Sequence, residues 1–373
     1  MRLVRIRARV AALGVASLTL GLFAGAAPAA AAGPQTWNVD AGTGDATGVA
    51  ALKFYPATLA VNAGDSITWK VAGNAHTIAF LTAGQVAPSP DSPTAAAPAG
   101  GTTVDGSTFT NSGIVVPAPG HDTYTATLPT AGTFVFHCLI HPGMNQTVTV
   151  NAAATAYPQD QAAVTAANQA AEAADITAGH ALEASFTPST STNADGSTTY
   201  HLAAGVGANR VSILRYISQT LDIKVGDTVE WTNGDGNGEP HSVSFGKEPK
   251  DPSAFAPAGG ETYNGKAPWV SSGLYLGAPL PGPHSYSLKF TKAGTFHYLC
   301  VLHDIVGMKG TITVAAAPAQ ATPPPQATPP PTSTEPIRPA TNSDDAGLAV
   351  LLLAGLVGLC GATVLIRRRT RAG

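Results

Sequence analysis

The sequence repeats itself at a constant offset of 162 positions, and this repeat constrains the fold more than any other feature. A solenoid unit is only ~20–50 residues long, so a repeat of this length indicates two complete homologous domains. We place them at residues 33–151 and 186–315. The matched pairs, in chain order, are Leu59/Leu221, Val61/Ile223, Gly64/Gly226, Asp65/Asp227, Ile67/Val229, Trp69/Trp231, Gly132/Gly294, Phe134/Phe296, Phe136/Tyr298, Cys138/Cys300 and His141/His303.

Within each copy the local pattern is that of short β-strands. Apolar Leu221, Ile223 and Val225 alternate with polar Asp222 and Lys224, which is the period of a half-buried strand. Similar segments recur between turns rich in Gly and Pro, of which the chain has 40 and 30, and no helical pattern interrupts them. The sequence therefore predicts an all-β fold in which each domain is an antiparallel β-sandwich.

Residues 152–185, between the two copies, are rich in Ala and carry four acidic residues but no Lys or Arg. This composition is compatible with a helix or with a flexible spacer. We interpret the segment as a plain linker.

The N-terminal segment, residues 1–32, has the order of a secretory signal peptide. Four Arg precede an apolar run from Val10 to Phe23, and small residues follow up to Ala32. An N-terminal membrane anchor is the alternative, but the apolar run is short and an Ala-x-Ala cleavage site follows it.

The C-terminal segment predicts a membrane anchor. Residues 346–366 contain no charge and are long enough, as a helix, to cross a hydrocarbon core of ~30 Å. Four Arg in the tail, residues 367–373, place that end in the cytoplasm. Residues 316–345 are rich in Pro, Ala and Thr and predict an extended stalk. A cell-wall sorting signal is the alternative, although Arg338–Asn342 resembles the sortase motif only loosely.

The net charge of -3 hides a segregation of charge along the chain. Eight of the 20 basic residues lie in the two terminal segments, which carry no acid, so the part between them has 12 basic and 23 acidic residues. Such a chain cannot neutralise a run of phosphates, so we expect no nucleic-acid partner.

Each domain carries one Cys, two His and one Met in the same order. The short motifs Cys138-x-x-His141-x-x-Met144 and Cys300-x-x-His303-x₄-Met308 each have a second histidine far upstream, His76 or His241. The chain has only three Met, and the two that follow the initiator both fall in these motifs. Two imidazoles and a thiolate with a weak axial thioether are the ligands of a blue copper site, and they suit copper better than zinc.

With these motifs the sequence resembles two cupredoxin domains of the plastocyanin, amicyanin and pseudoazurin kind. The resemblance implies two Greek-key β-sandwiches, one mononuclear copper in each, and one-electron exchange between Cu(I) and Cu(II), hence two coppers per chain. The two residues between His141 and Met144 resemble the amicyanin loop, and the four between His303 and Met308 resemble the plastocyanin loop. Thr77 and Ser242 stand where plastocyanins usually have Asn.

The predicted function is that of a single-pass membrane protein whose extracytoplasmic domains carry electrons between redox protein partners. The apolar loops around His141 and His303 predict docking patches through which these two histidines reach the partners. The oligomeric state is left open by the sequence.

Three alternatives remain. The same ligands suit copper sequestration or delivery at the cell surface, and one domain alone could be competent. A copper oxidoreductase of the nitrite reductase type is disfavoured: His137 precedes Cys138 as in those enzymes, but residues 78–82 contain no His for a second copper. We therefore expect no catalytic residues.

Overall fold

The computed structural model describes residues 33–316. The predicted signal peptide, membrane helix and cytoplasmic tail lie outside the described residues, as does the stalk beyond Ala316, and they stay predictions. Within residues 33–316 no helix is both long and apolar enough to span a membrane.

The first domain is built from short strands, one short helix and long connecting loops. The helix α1 spans Pro93–Ala96. The strands are β1 (Thr36–Gly44), β2 (Val49–Tyr55), β3 (Thr58–Asn62), β4 (Ser66–Val71), β5 (Ala79–Phe80), β6 (Pro98–Ala99), β7 (Thr110–Ser112), β8 (Thr123–Thr127), β9 (Gly132–His137) and β10 (Asn145–Asn151).

The second domain follows a long helix, α2 (Gln161–Ser185), and repeats the order of the first. It also contains two single-turn 3₁₀ segments, Pro252–Phe255 and Asp304–Val306. Its strands are β11 (Ser189–Thr192), β12 (Thr198–Ala208), β13 (Val211–Ile217), β14 (Thr220–Lys224), β15 (Thr228–Asp235), β16 (Ser244–Gly246), β17 (Pro257–Ala258), β18 (Thr262–Tyr263), β19 (Trp269–Ser272), β20 (Ser285–Phe290), β21 (Gly294–Leu299) and β22 (Lys309–Ala315).

Each domain is a β-sandwich, as predicted, but the two sandwiches share one sheet. A ten-stranded sheet runs in the order β18-β20-β15-β12-β13-β2-β1-β4-β8, with β11 beside β12. Each domain closes its half of this sheet with a six-stranded sheet of its own, β3-β10-β9-β5-β7-β6 or β14-β22-β21-β16-β19-β17. One aromatic-rich core fills each sandwich, around Trp69 and Phe136 in the first domain and Trp231 and Phe245 in the second.

The expectation of purely antiparallel sandwiches is wrong for five strand pairs. The pairs β1–β4, β3–β10, β12–β15, β14–β22 and β18–β20 run parallel. Alternation of apolar and polar residues reports which face of a strand is buried, and it carries no information on strand direction. Strands joined by hairpins are antiparallel, whereas these pairs meet only after the chain has crossed the sandwich.

The domains are joined through the edge strands β2 and β13. They pair antiparallel, with Ala50 opposite Ser212 and Val49 opposite Ile213. Since β2 and β13 occupy the same place in their domains, this junction joins like edges, as a two-fold symmetric interface does. It also removes two exposed sheet edges.

Of the two alternatives for the segment between the domains, the structure has the helix rather than a plain linker. Asp160 caps the N-terminus of α2 by accepting a hydrogen bond from the Ala163 amide at 2.8 Å. The many Ala favour the helix intrinsically, and its inner face covers the domain junction. There Ile176 and Leu182 pack against the cluster around Val49 and Ile213.

Candidate metal centres

In the first domain the four predicted ligands come from two separate parts of the chain. His76 follows β4 and is held by a backbone bridge to Val115. Cys138 follows β9, in which Phe134 and Phe136 point into the core as the alternation predicts. His141 and Met144 lie in the loop that leads to β10.

The donor atoms of His76, Cys138 and His141 converge. The two Nδ1 atoms lie 2.9 Å apart, and the Cys138 Sγ is 3.7 Å from His76 Nδ1 and 3.3 Å from His141 Nδ1. All three side chains are buried, with exposed fractions of 0%, 3% and 6% respectively. The three donor atoms thus form a small buried cluster whose lone pairs can bind a single cation.

The second domain repeats this arrangement with His241, Cys300 and His303. The two Nδ1 atoms lie 3.2 Å apart, and the Cys300 Sγ is 3.6 Å from His303 Nδ1. In each domain the three donor atoms lie within 4.8 Å of one another.

The two methionines are buried beside these clusters. The Cys138 amide donates a hydrogen bond to the Met144 carbonyl at 2.9 Å, and the Cys300 amide donates one to the Met308 carbonyl at 3.1 Å. This backbone hydrogen bond joins the two ends of each loop. It keeps Cys, His and Met together although the two loops differ in length.

The charges around Cys138 favour the thiolate. Burial raises the pKa of the Cys138 thiol, but the positive charge of His141 and hydrogen bonds from both imidazoles hold it well below the usual range. The pKa of Cys300 is lowered in the same way, chiefly by His303. Because the thiolate is the form that binds metal, both sites are prepared for a cation.

Thr77 and Ser242, the departures from the plastocyanin pattern, connect each upstream histidine to the cysteine loop. Their amides lie 3.3 and 3.4 Å from Cys138 Sγ and Cys300 Sγ, as donors to the sulfur. The Thr77 hydroxyl accepts a hydrogen bond from the Leu139 amide at 2.7 Å, and the Ser242 hydroxyl accepts one from Val301 at 3.0 Å. The hydroxyl thus fixes the backbone that follows the cysteine.

A buried carboxylate lies between the two sites, and the sequence interpretation missed it. Glu239 Oε1 is 3.1 Å from His141 Nε2, and Glu239 Oε2 is 3.4 Å from His303 Nε2. Burial raises the pKa of Glu239, but the charge on His141 and hydrogen bonds from both histidines hold it well below the usual range. Asn74 Nδ2 donates to Glu239 Oε2 at 3.1 Å.

The signal for this bridge in the sequence was weak. Asn74 and Glu239 each stand two residues before an upstream histidine, so they occupy equivalent places in the two domains. Only the pairing of β2 with β13 brings them together. Nothing in either repeat indicates that the domains meet at this face.

The expected docking patches are not centred on exposed histidines. His141 and His303 are 6% and 3% exposed, because each turns its Nε2 edge toward Glu239. Leu139 and Val301 are buried as well, whereas Ile305 remains 67% exposed on the second loop. The sequence pattern shows that a loop is apolar and cannot show that a second domain covers it.

Comparisons with known proteins agree with this chemistry. The sequence profile of the copper binding proteins, plastocyanin/azurin family, matches residues 42–151 and 202–315. Plastocyanin from Scenedesmus fuscus is 38% identical over 116 residues, which make up 31% of this chain and 97% of that protein. Amicyanin from Paracoccus denitrificans is 30% identical over 109 residues, or 28% of this chain and 61% of that protein.

Among solved structures, the oxidized form of plastocyanin from Dryopteris crassirhizoma aligns with a TM-score of 0.21 and 24% identity, covering 31% of this chain and 99% of that one. Because the profile matches both repeats, which together make up more than half of the sequence, the chain belongs to the plastocyanin/azurin family of copper binding proteins. Its two buried His₂Cys clusters fit one copper in each domain.

Proposed function

We propose that this protein is a membrane-anchored extracytoplasmic electron carrier that holds one type 1 copper in each domain and passes single electrons between redox protein partners. The observation that carries the proposal is the convergence of two imidazole nitrogens and one thiolate in each domain, at positions closed to solvent. We assign His76, Cys138, His141 and Met144 to the first site. His241, Cys300, His303 and Met308 form the second.

Bound copper supplies a one-electron couple in such a site. The chain supplies the rigidity: the Cys–Met backbone bond and the Thr77 or Ser242 hydroxyl hold the loop in one geometry. Burial of the ligands keeps substrates away, which favours electron transfer over bond-making chemistry. The place of His137 resembles that of a second-copper ligand. Its side chain turns outward, and its Nδ1 lies 2.7 Å from Asn145 Oδ1.

Copper titration of the full chain tests this proposal. We expect two coppers per chain, the strong visible absorption of a blue-copper thiolate site, and reversible reduction. Cys138→Ser and Cys300→Ser are each expected to remove one copper and about half of this absorption. The matched control is His137→Gln, which changes the neighbour of Cys138 and should leave both unchanged.

Two results would contradict parts of the proposal, the first electron carriage and the second the presence of two working sites. Binding of Cu(I) without a reversible couple would favour sequestration or delivery. Loss of all the absorption in only one of the two Ser variants would show that a single domain is competent.

A further inference from the structure

The two predicted copper sites are joined by one continuous chain of contacts. His141 and His303 each turn Nδ1 toward their own cysteine and Nε2 toward Glu239. Each ring therefore has one nitrogen for a metal and the other for the same carboxylate. The order of contacts is site 1, His141, Glu239, His303, site 2.

The chemistry of this bridge suits metal-bound imidazoles. A neutral histidine that binds metal through Nδ1 carries its proton on Nε2, and such ligands usually donate that proton to a carboxylate or a carbonyl. Glu239 can accept from both rings at once, one at each oxygen. Asn74 supplies a third donor, so a carboxylate that is only 3% exposed is fully paired.

The bridge also changes where an electron can leave each site. The imidazole edge of His141 faces His303 across Glu239 and does not face solvent. Electron tunnelling falls steeply with distance and follows bonded and hydrogen-bonded paths better than gaps. The shortest described route out of either site through these histidines therefore ends in the other site.

Resting on the proposed function above, we propose that the two sites exchange electrons directly within one chain through His141, Glu239 and His303, with Glu239 as the positioning residue. One site changes from Cu(I) to Cu(II) as the other changes from Cu(II) to Cu(I). No bond forms or breaks. No proton has to move, because Glu239 keeps its hydrogen bonds in both states.

The first test is made on the unaltered, copper-loaded full chain. A flash-generated reductant delivers less than one electron per chain, and the redistribution between the two sites is followed by their absorption. We expect a first-order phase whose rate does not depend on protein concentration. A rate proportional to concentration would show exchange between molecules and would overturn the proposal.

The second test changes the bridge. Glu239→Ala, measured with enough copper to fill both sites, is expected to slow the internal phase about 10-fold or more, because both imidazoles lose the partner that orients them. Glu239→Gln keeps the shape but turns an NH₂ group toward one imidazole, so it should slow exchange as well. Glu230→Gln is the control for removing a carboxylate from a Glu–His pair, because Glu230 contacts His201 at 2.8 Å in a more exposed pair elsewhere in the second domain.

A readout independent of electron transfer separates the bridge from a general loss of structure. In the copper-free full chain with ¹⁵N-labelled histidine, the Nε2 resonances of His141 and His303 should both shift in Glu239→Gln and stay unchanged in Glu230→Gln. Unchanged resonances, or an unchanged internal rate in Glu239→Gln, would overturn the role of Glu239. If the remaining site is reversible in each Cys→Ser variant yet the unaltered chain shows no internal phase, this inference fails while the proposed function stands.

Discussion

Asn74 donates a hydrogen bond from Nδ2 to Oε2 of Glu239 at 3.1 Å, across the boundary between the two domains. The two residues hold equivalent places in the repeat, and both are buried. Two carboxylates here would repel one another away from water, and two amides would leave the histidines without a shared anion. One carboxylate and one amide give the junction a single negative charge, to which the amide and the two imidazoles donate hydrogen bonds.

This pairing predicts that Asn74→Asp destabilises the protein. The change places a second carboxylate against Glu239 and removes the amide donor, so we expect a loss of about 3 kcal/mol in the free energy of unfolding. Urea unfolding of the copper-free chain measures it. Asn264→Asp is the control, because Asn264 is exposed and accepts from the Lys266 amide, which Asp does equally well.

The exchanged double variant Asn74→Glu with Glu239→Asn again has one carboxylate and one amide at the junction. We expect it to recover most of the stability lost in Asn74→Asp. A double variant as unstable as Asn74→Asp would show that the place of the charge matters, and not only the number of charges.

A second prediction concerns the glycines that support the upstream histidines. Gly42 has a φ of +82°, and a Cβ there would collide with His76 Nε2; Gly205, with a φ of +79°, stands in the same relation to His241. Gly42→Ala should therefore displace the imidazole and weaken copper binding at the first site about 10- to 100-fold. Competition with a chelator measures this affinity.

Gly84→Ala separates the collision from backbone strain. Gly84 has nearly the same φ, +77°, but a Cβ there would meet nothing within 4 Å. It should cost about 1–2 kcal/mol of stability from the left-handed conformation alone and leave copper affinity unchanged. Equal copper affinities in the two variants would contradict the close approach of Gly42 to His76.

A third prediction tests the hydroxyl that fixes each cysteine loop. Thr77→Val keeps the shape but leaves the Leu139 amide buried without its acceptor, which should cost about 1–3 kcal/mol of unfolding free energy. Ser242→Ala should act similarly through Val301. Thr77→Ser, which keeps the hydroxyl, is expected to retain most of the stability, and a loss as large as that of Thr77→Val would argue against this hydrogen bond.

The parts of the structure that could be predicted are those encoded locally. Cys138 and His141 are three residues apart, and the inward alternation of Phe134 and Phe136 determines where the Cys side chain points. The repeat places the same residues, Cys300 and His303, in the second domain. Met and Cys are scarce in this chain, so the presence of both in one short motif is a specific sign of a metal site.

The parts that could not be predicted depend on how the domains meet. The paired segment of β2, Val49–Ala51, has only small apolar side chains, and nothing in it identifies β13 as its partner. Glu239 is 98 positions from His141, so its contact exists only once the junction has formed. The helix α2 could not be distinguished from a flexible spacer for a related reason. Its apolar face is small, and the role of that face is clear only once the surface that it covers has formed.

The last prediction concerns the pH dependence of this helix. Glu172 on α2 is partly buried near Asp40 on β1, and burial together with the Asp40 charge raises the pKa of Glu172 to about 7. An unfolded glutamate titrates near 4.5, so between these values the folded state binds more protons and stability falls as pH rises. Glu172→Gln should remove this loss.

We expect Glu172→Gln to be more stable than the unaltered chain at pH 8, by about 1 kcal/mol because solvent screens this partly exposed pair, and similar to it at pH 5. Thermal unfolding at the two pH values measures the difference, expected as a Tm increase of about 3 °C at pH 8 alone. Glu183→Gln changes the same charge three turns further along α2, ~16 Å from Glu172, and should show no such pH dependence. An equal gain at both pH values would mean that the gain does not come from the raised pKa of Glu172.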